Sequence, residues 1–159
     1  MWTGTDSIEI KAPTKQVWSI ISDVSAHPKL AGSGEVKTVR VAGQIGTGVT
    51  WESDEDLGPE MRFTAHSKCV TFNPPKEFAW KSFPPPLVEN EPKSVPDVTW
   101  WFKLEPHVGG TRLENGFTVI EPPVGAEMIH QFYEATHREE VIKRGMHQTL
   151  LNVKAAAEG

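Results

Sequence analysis

The stretch TWWFKLEPHVGGTRLEN, residues 99–115, holds three aromatic side chains in four positions, then Gly109-Gly110, then a second alternating run. On an extended backbone successive side chains point to opposite faces. Trp100, Phe102 and Leu104 then share one wholly apolar face, and Thr99, Trp101 and Lys103 share the other. The apolar face predicts an interior side and leaves Trp101 outside. Six tryptophans exceed what one sheet-on-helix layer needs, so the rings are either plain core or the wall of an apolar pocket.

Working outward, Asp97 to Glu105 and Thr111 to Ile120 are two strands joined across Pro106 to Gly110. Upstream, Glu77 to Phe83 is a strand with Phe78 and Trp80 on one face, and Asn73-Pro74-Pro75 separates it from Met61 to Phe72. In that long strand the apolar balance favours Met61, Phe63, Ala65, Ser67 and Cys69 early, but Val70 and Phe72 late. A bulge between the two sets accounts for the switch, and which face His66 takes stays open. Between Phe83 and Asp97 lie five prolines in PPPLVENEPKSVPD, which cannot sit inside a sheet. Residues 84–96 form either a mobile flap over a pocket mouth, with Leu87, Val88 and Val95 as its apolar contacts, or a surface insertion without a role.

Strands at Ser7 to Lys11, Glu35 to Val41 and Val49 to Ser53 complete the set. A helix carrying Val17, Trp18, Ile20, Ile21 and Val24 follows the first, with one helical turn before Gly32. ESDEDLGPE, residues 52–60, is acidic and Gly-Pro marked, hence a solvated turn. From Val124 to Ala157 one helical pattern runs nearly to the end, about 45 Å long if unbroken. Strands made in succession pair antiparallel, which gives an α+β fold of about seven strands and one long terminal helix.

The totals exclude several classes. A chain of 159 residues predicts a single domain spanning 1–159. Net charge of −5, with basic residues scattered among acids, argues against nucleic acid as partner. The lone Cys69 permits no intramolecular disulfide and fits a reducing compartment. No window approaches the apolar length of a transmembrane helix, and MWTGTDSIEI lacks the layout of a signal peptide. The expected location is cytoplasmic, as monomer or homodimer.

Four pieces, IEIKAPTKQVWSIISDVSAHP, NPPKEFAWKSF, TWWFKLEPHVGGTRL and GMHQTLLNVKAAAE, together resemble the polyketide cyclase/dehydrase branch of the START-like, Bet v 1-like superfamily (SRPBCC). Ala12-Pro13, Val17-Trp18, Asp23 and His27-Pro28 resemble its opening motif, and Trp100, Phe102, Leu104, Pro106 and Gly110-Thr111 its strand-turn-strand signature. The resemblance implies a helix-grip fold, a curved antiparallel sheet wrapped around the C-terminal helix with a cavity between them. KLAGSG after His27-Pro28 and the long Pro-rich loop depart from the family pattern. The expected cavity residues are Phe63, His66, Trp80, Trp100, Phe102, Asn115, Phe117, Met128, Phe132, Glu139 and Ile142.

Other chemistry is refused. His130, Glu134 and His137 have metal-ligand spacing. At about 100° per residue, however, they fall opposite the stripe of Met128, Phe132, Ile142, Met146, Leu150 and Val153, so no metal is expected. There is no nucleophile motif around a serine, and the Gly runs lack a phosphate-loop context. Glu139 falls inside the apolar stripe, at about 20° from Met128 on the same count. A bend near Gly145, pairing with Arg62 or Arg112, or contact with a ligand would each account for it.

The leading expectation is a protein that holds a lipid or polyketide-like hydrophobic small molecule, without cofactor. An aromatase/cyclase-type enzyme using His66, Glu139 and Asn115 is the alternative. A chaperone- or toxin-related partner module is the third, with Trp101 as its one hint. An apolar cavity without polar groups favours the carrier, and converging titratable groups favour the enzyme.

Overall fold

A computed structural model describes residues 2–85 and 95–159. Seven antiparallel strands form one sheet: β1 (Trp2–Ile10), β2 (Val36–Val41), β3 (Thr50–Asp56), β4 (Arg62–Asn73), β5 (Glu77–Phe83), β6 (Asp97–His107) and β7 (Gly110–Ile120). Their order is β1-β7-β6-β5-β4-β3-β2, a continuous meander with the first strand returned to the edge beside the last. Between β1 and β2 lie α1 (Thr14–Ile21), a 3-10 turn (Val24–Ala26) and α2 (His27–Leu30). The chain closes with α3 (Ala126–Ala135) and α4 (Arg138–Glu158).

The alternation in the sequence sets which faces are buried. Phe102 and Leu104 of β6 and Leu113, Asn115, Phe117 and Val119 of β7 are buried on the inner face. In β4 the buried set is Ala65, Ser67 and Cys69; the register then shifts between Cys69 and Thr71, after which Phe72 packs against Trp18 and Phe78. The bulge turns an odd-numbered inner face into an even-numbered one. One core cluster joins Val17, Trp18 and Ile21 of α1 to Phe78, Leu104, Leu113, Leu150 and Val153. A second joins Phe117, Val119, Ile142 and Met146, with Trp2, Trp100 and Tyr133 against it.

Three expectations are corrected. The terminal helix is not continuous: Thr136 and His137 separate α3 from α4, and His137 has a left-handed backbone, φ 51°. Gly145 is not the site of the bend; it is buried against Ser33, where a Cβ would stand 3.0 Å from that side chain. The acidic stretch after Trp51 is not all turn, because β3 continues to Asp56 and keeps alternating. Arg40 holds Asp54 and Glu52 on its outer face, with Nη1 2.6 Å from Asp54 Oδ2. Ser53 is buried on the inner face.

Candidate functional site

A cavity of about 320 Å³ lies within the fold, lined by residues of β2 to β7, α2, α3 and α4. Its apolar wall includes Trp51, Trp80, Trp100, Phe102, Ile142 and Met146. The rings of Trp51 and Trp80 lie 6.4 Å apart, and those of Trp80 and Phe102 5.9 Å apart, spacings that let offset aromatic rings attract one another. Trp101, on the other face of β6, is accounted for by packing. It lies opposite Gly116 of β7, where an added Cβ would stand 2.2 Å from its ring, and its Nε1 donates to Glu114 Oε1 at 3.3 Å.

Polar groups share the same wall: Glu35, Ser53, Glu55, Tyr133 and Arg138, with His27 from α2. Alternation along β3 carries Trp51, Ser53 and Glu55 to one side, and the Ser53 hydroxyl donates to Glu55 Oε1 at 3.1 Å. Arg138, first residue of α4, donates through both terminal nitrogens to both oxygens of Glu35, Nη2 lying 2.8 Å from Oε2. Both side chains are less than one-fifth exposed. Such two-pronged pairing is the strongest geometry available to a guanidinium and a carboxylate.

Proton affinities follow from burial and neighbours. Burial raises the Glu55 carboxyl above its ordinary range, opposed by the Ser53 hydrogen bond, with the Glu35 charge raising it further and Arg138 lowering it. Burial likewise raises the Tyr133 phenol, against the nearby Arg138 charge. Burial works against the Arg138 cation, but the Glu35 hydrogen bond and charge outweigh it and its affinity for the proton rises. His27 is lowered by burial, more than the Ile21 carbonyl and the Asp23 charge restore. Its Nε2 lies 2.9 Å from the Ile21 carbonyl oxygen, which accepts only a hydrogen, so Nε2 carries the proton and Nδ1 is the bare nitrogen.

Of the residues expected at the cavity, Phe63, Trp80, Trp100, Phe102, Asn115, Met128, Phe132 and Ile142 do line it. Asn115 is already engaged, its Nδ2 donating to the Trp101 carbonyl at 2.9 Å. Three others stand elsewhere. Phe117 is fully buried behind the wall, its ring 5.7 Å from that of Trp100. His66 is on the outer face of β4, 66% exposed, with Nδ1 3.8 Å from Glu52 Oε1. Glu139 points outward and pairs with Lys143 at 2.8 Å, because the break at Thr136–His137 resets the helical phase and turns Arg138 inward instead. Neither Arg62 nor Arg112 pairs with Glu139; Arg62 bonds Asp56. His130, Glu134 and His137 are exposed, His130 bonding Glu121.

Reasoning from sequence missed Glu35, Glu55, Tyr133, Arg138 and His27. The alternation Trp51-Ser53-Glu55 was a usable signal for one of them. Pro84, Val95 and Pro96 line the cavity. The rest of the expected flap, with Leu87 and Val88, lies outside the described residues. No helix among the described residues is long and apolar enough to cross a membrane.

A family model described as "Polyketide cyclase / dehydrase and lipid transport" matches residues 1–158. No curated protein matches the chain. Among solved structures, one that it resembles is the di-domain aromatase/cyclase StfQ of the steffimycin biosynthetic pathway, at 16% identity and TM-score 0.73. That alignment covers 98% of this chain but 50% of StfQ, so the chain spans about half of that protein. The aromatase/cyclase Zhui from Streptomyces sp. R1128 aligns over 99% of this chain and 93% of its own, at 15% identity and TM-score 0.65. A putative uncharacterized protein from Rhizobium leguminosarum aligns over 97% and 95%, at 14% identity and TM-score 0.67. At these identities the likeness concerns the fold.

Proposed function

Because the chain belongs to the polyketide cyclase/dehydrase and lipid transport family, we propose that it binds a hydrophobic small molecule, lipid-like or polyketide-like, in its internal cavity. The observation that carries this reading is the aromatic wall of Trp51, Trp80, Trp100 and Phe102 around about 320 Å³ of space. Apolar ligands enter such preformed cavities by shedding water from both surfaces, and a few polar groups fix their orientation. The test is displacement of a fluorescent apolar probe, followed through quenching of the three cavity tryptophans. A probe that fails to bind, with protein from its native host carrying no co-purified ligand in native mass spectrometry, removes the reading.

One specific observation favours a second reading, a polyketide aromatase/cyclase-type enzyme. Several titratable groups converge on the cavity, where the expected carrier has none. A carboxyl whose proton affinity burial raises is suited to act as a general acid, and an imidazole with a bare Nδ1 as a general base. Glu55 and His27 would take these roles, in place of His66 and Glu139. Turnover of a reactive poly-β-ketone chain that survives both Glu55→Gln and His27→Gln would defeat it. The partner-module reading loses its one support, since Trp101 packs over Gly116.

A further inference from the structure

The described walls of the cavity offer an incoming ligand no uncommitted positive charge. They carry one guanidinium, Arg138, and no lysine, against two acidic side chains, Glu35 and Glu55. That guanidinium is taken: Arg138 engages both oxygens of Glu35 through both terminal nitrogens. A second anion arriving there would have to displace Glu35, which would then stand beside Glu55 without its counter-ion. His27, the other basic side chain on the wall, has Nε2 2.9 Å from the Ile21 carbonyl, so its N–H there is committed, and burial lowers its affinity for a second proton. A buried anion without a cationic partner is strongly disfavoured. A hydroxyl or carbonyl group meets no such barrier. The hydroxyls of Ser33, Ser53, Ser67 and Tyr133 and the carboxyl of Glu55 offer it donors and acceptors.

We propose that the Glu35–Arg138 pair makes the cavity select neutral oxygenated ligands (alcohols, phenols or ketones on an apolar frame) and exclude carboxylates of the same shape, free fatty acids included. The proposal rests on the ligand-binding reading above and adds a sign to it. In this arrangement Arg138 is a positioning residue whose charge is spent on Glu35, and Glu35 is the gate against anions.

The test uses three probes of one shape at pH 7, followed by tryptophan quenching: 2-naphthalenemethanol, 2-naphthoate and 2-naphthylmethylamine. The alcohol is expected to bind at least about tenfold more tightly than the carboxylate. Glu35→Gln frees Arg138 and should shift the preference between alcohol and carboxylate by about tenfold or more toward the carboxylate. The double variant Glu35→Gln/Arg138→Gln removes the freed cation and should return the carboxylate to weak binding. Equal or tighter binding of the carboxylate to the unaltered protein overturns the proposal, and that comparison needs no variant to fold. Tightest binding of the amine also overturns it, by marking Glu55 as a counter-ion. If none of the three binds while the fluorescent apolar probe does, the proposal falls alone; if that probe fails too and no ligand co-purifies, the ligand-binding reading falls with it. If the alcohol and carboxylate bind alike, only the proposal falls.

Discussion

Arg138 donates from Nη2 to Oε2 of Glu35 across 2.8 Å, tying the first turn of α4 to the residue before β2 although 103 positions separate them in the chain. Both members line the cavity, and they reach it from elements that the sequence alone does not bring together.

Removing one partner leaves the other charge buried. Glu35→Gln and Arg138→Gln should each destabilise the protein by about 3 kcal/mol, lowering Tm by about 6–12 °C, while the double variant loses less than half as much. Thermal denaturation of the three variants checks this. Single variants melting within about 2 °C of the parent would mean that the pair contributes little.

Glu55 gives a dependence on pH with a definite sign. Burial raises its proton affinity in the folded chain above that of the unfolded chain. The stability that it contributes is therefore full in acid, below the ordinary carboxylate range, and is lost as pH rises through the folded value. Glu55→Gln removes this loss, so its stability relative to the parent should improve from pH 4 to pH 8. Urea denaturation at several pH values measures the difference, and a difference that stays constant contradicts the raised affinity.

His137 occupies a left-handed conformation that costs a residue with a Cβ about 1 kcal/mol. His137→Gly should hold or raise Tm by a few degrees, whereas the β-branched His137→Val should lower stability by about 1–2 kcal/mol. Melting curves for the pair of variants decide it. Equal effects of Gly and Val would show that the break is held by packing alone.

Gly116 leaves the space that the Trp101 ring fills on the outer sheet face. Gly116→Ala should cost about 1–3 kcal/mol, because the ring must move off a backbone that it now touches. Trp101→Ala together with Gly116→Ala should cost less than the sum of the two, a coupling that a double-mutant cycle measures.

His27 should gain its second proton only below the ordinary histidine value of 6.5, since burial lowers its proton affinity. The unfolded chain then binds the extra proton, so this contribution to stability is complete above that value and falls away as pH drops below it. Proton NMR of the imidazole through pH 5 to 8 should show one histidine that titrates late, and His27→Gln should flatten the acid limb of stability against pH.

Much of the fold was legible because alternation is local. The parity of Trp100, Phe102 and Leu104 set the inner face of β6 from six consecutive residues, and the change of parity in β4 announced the bulge that lies between Cys69 and Thr71. Glu55 is legible by the same rule, but an acidic run beside Gly-Pro looks solvated until Glu35 and Arg138 are seen near it. The cavity's chemistry was decided elsewhere. A helical wheel carries its phase only while the helix is unbroken. EATHREE has no glycine or proline to announce the turn at His137, which changes the phase of everything after it. That single left-handed residue sends Glu139 to solvent and Arg138 to Glu35. Which carboxylate is buried, and which cation answers it, depends on two segments meeting across the fold, and the sequence fixes no such meeting until the sheet has curved around the helix.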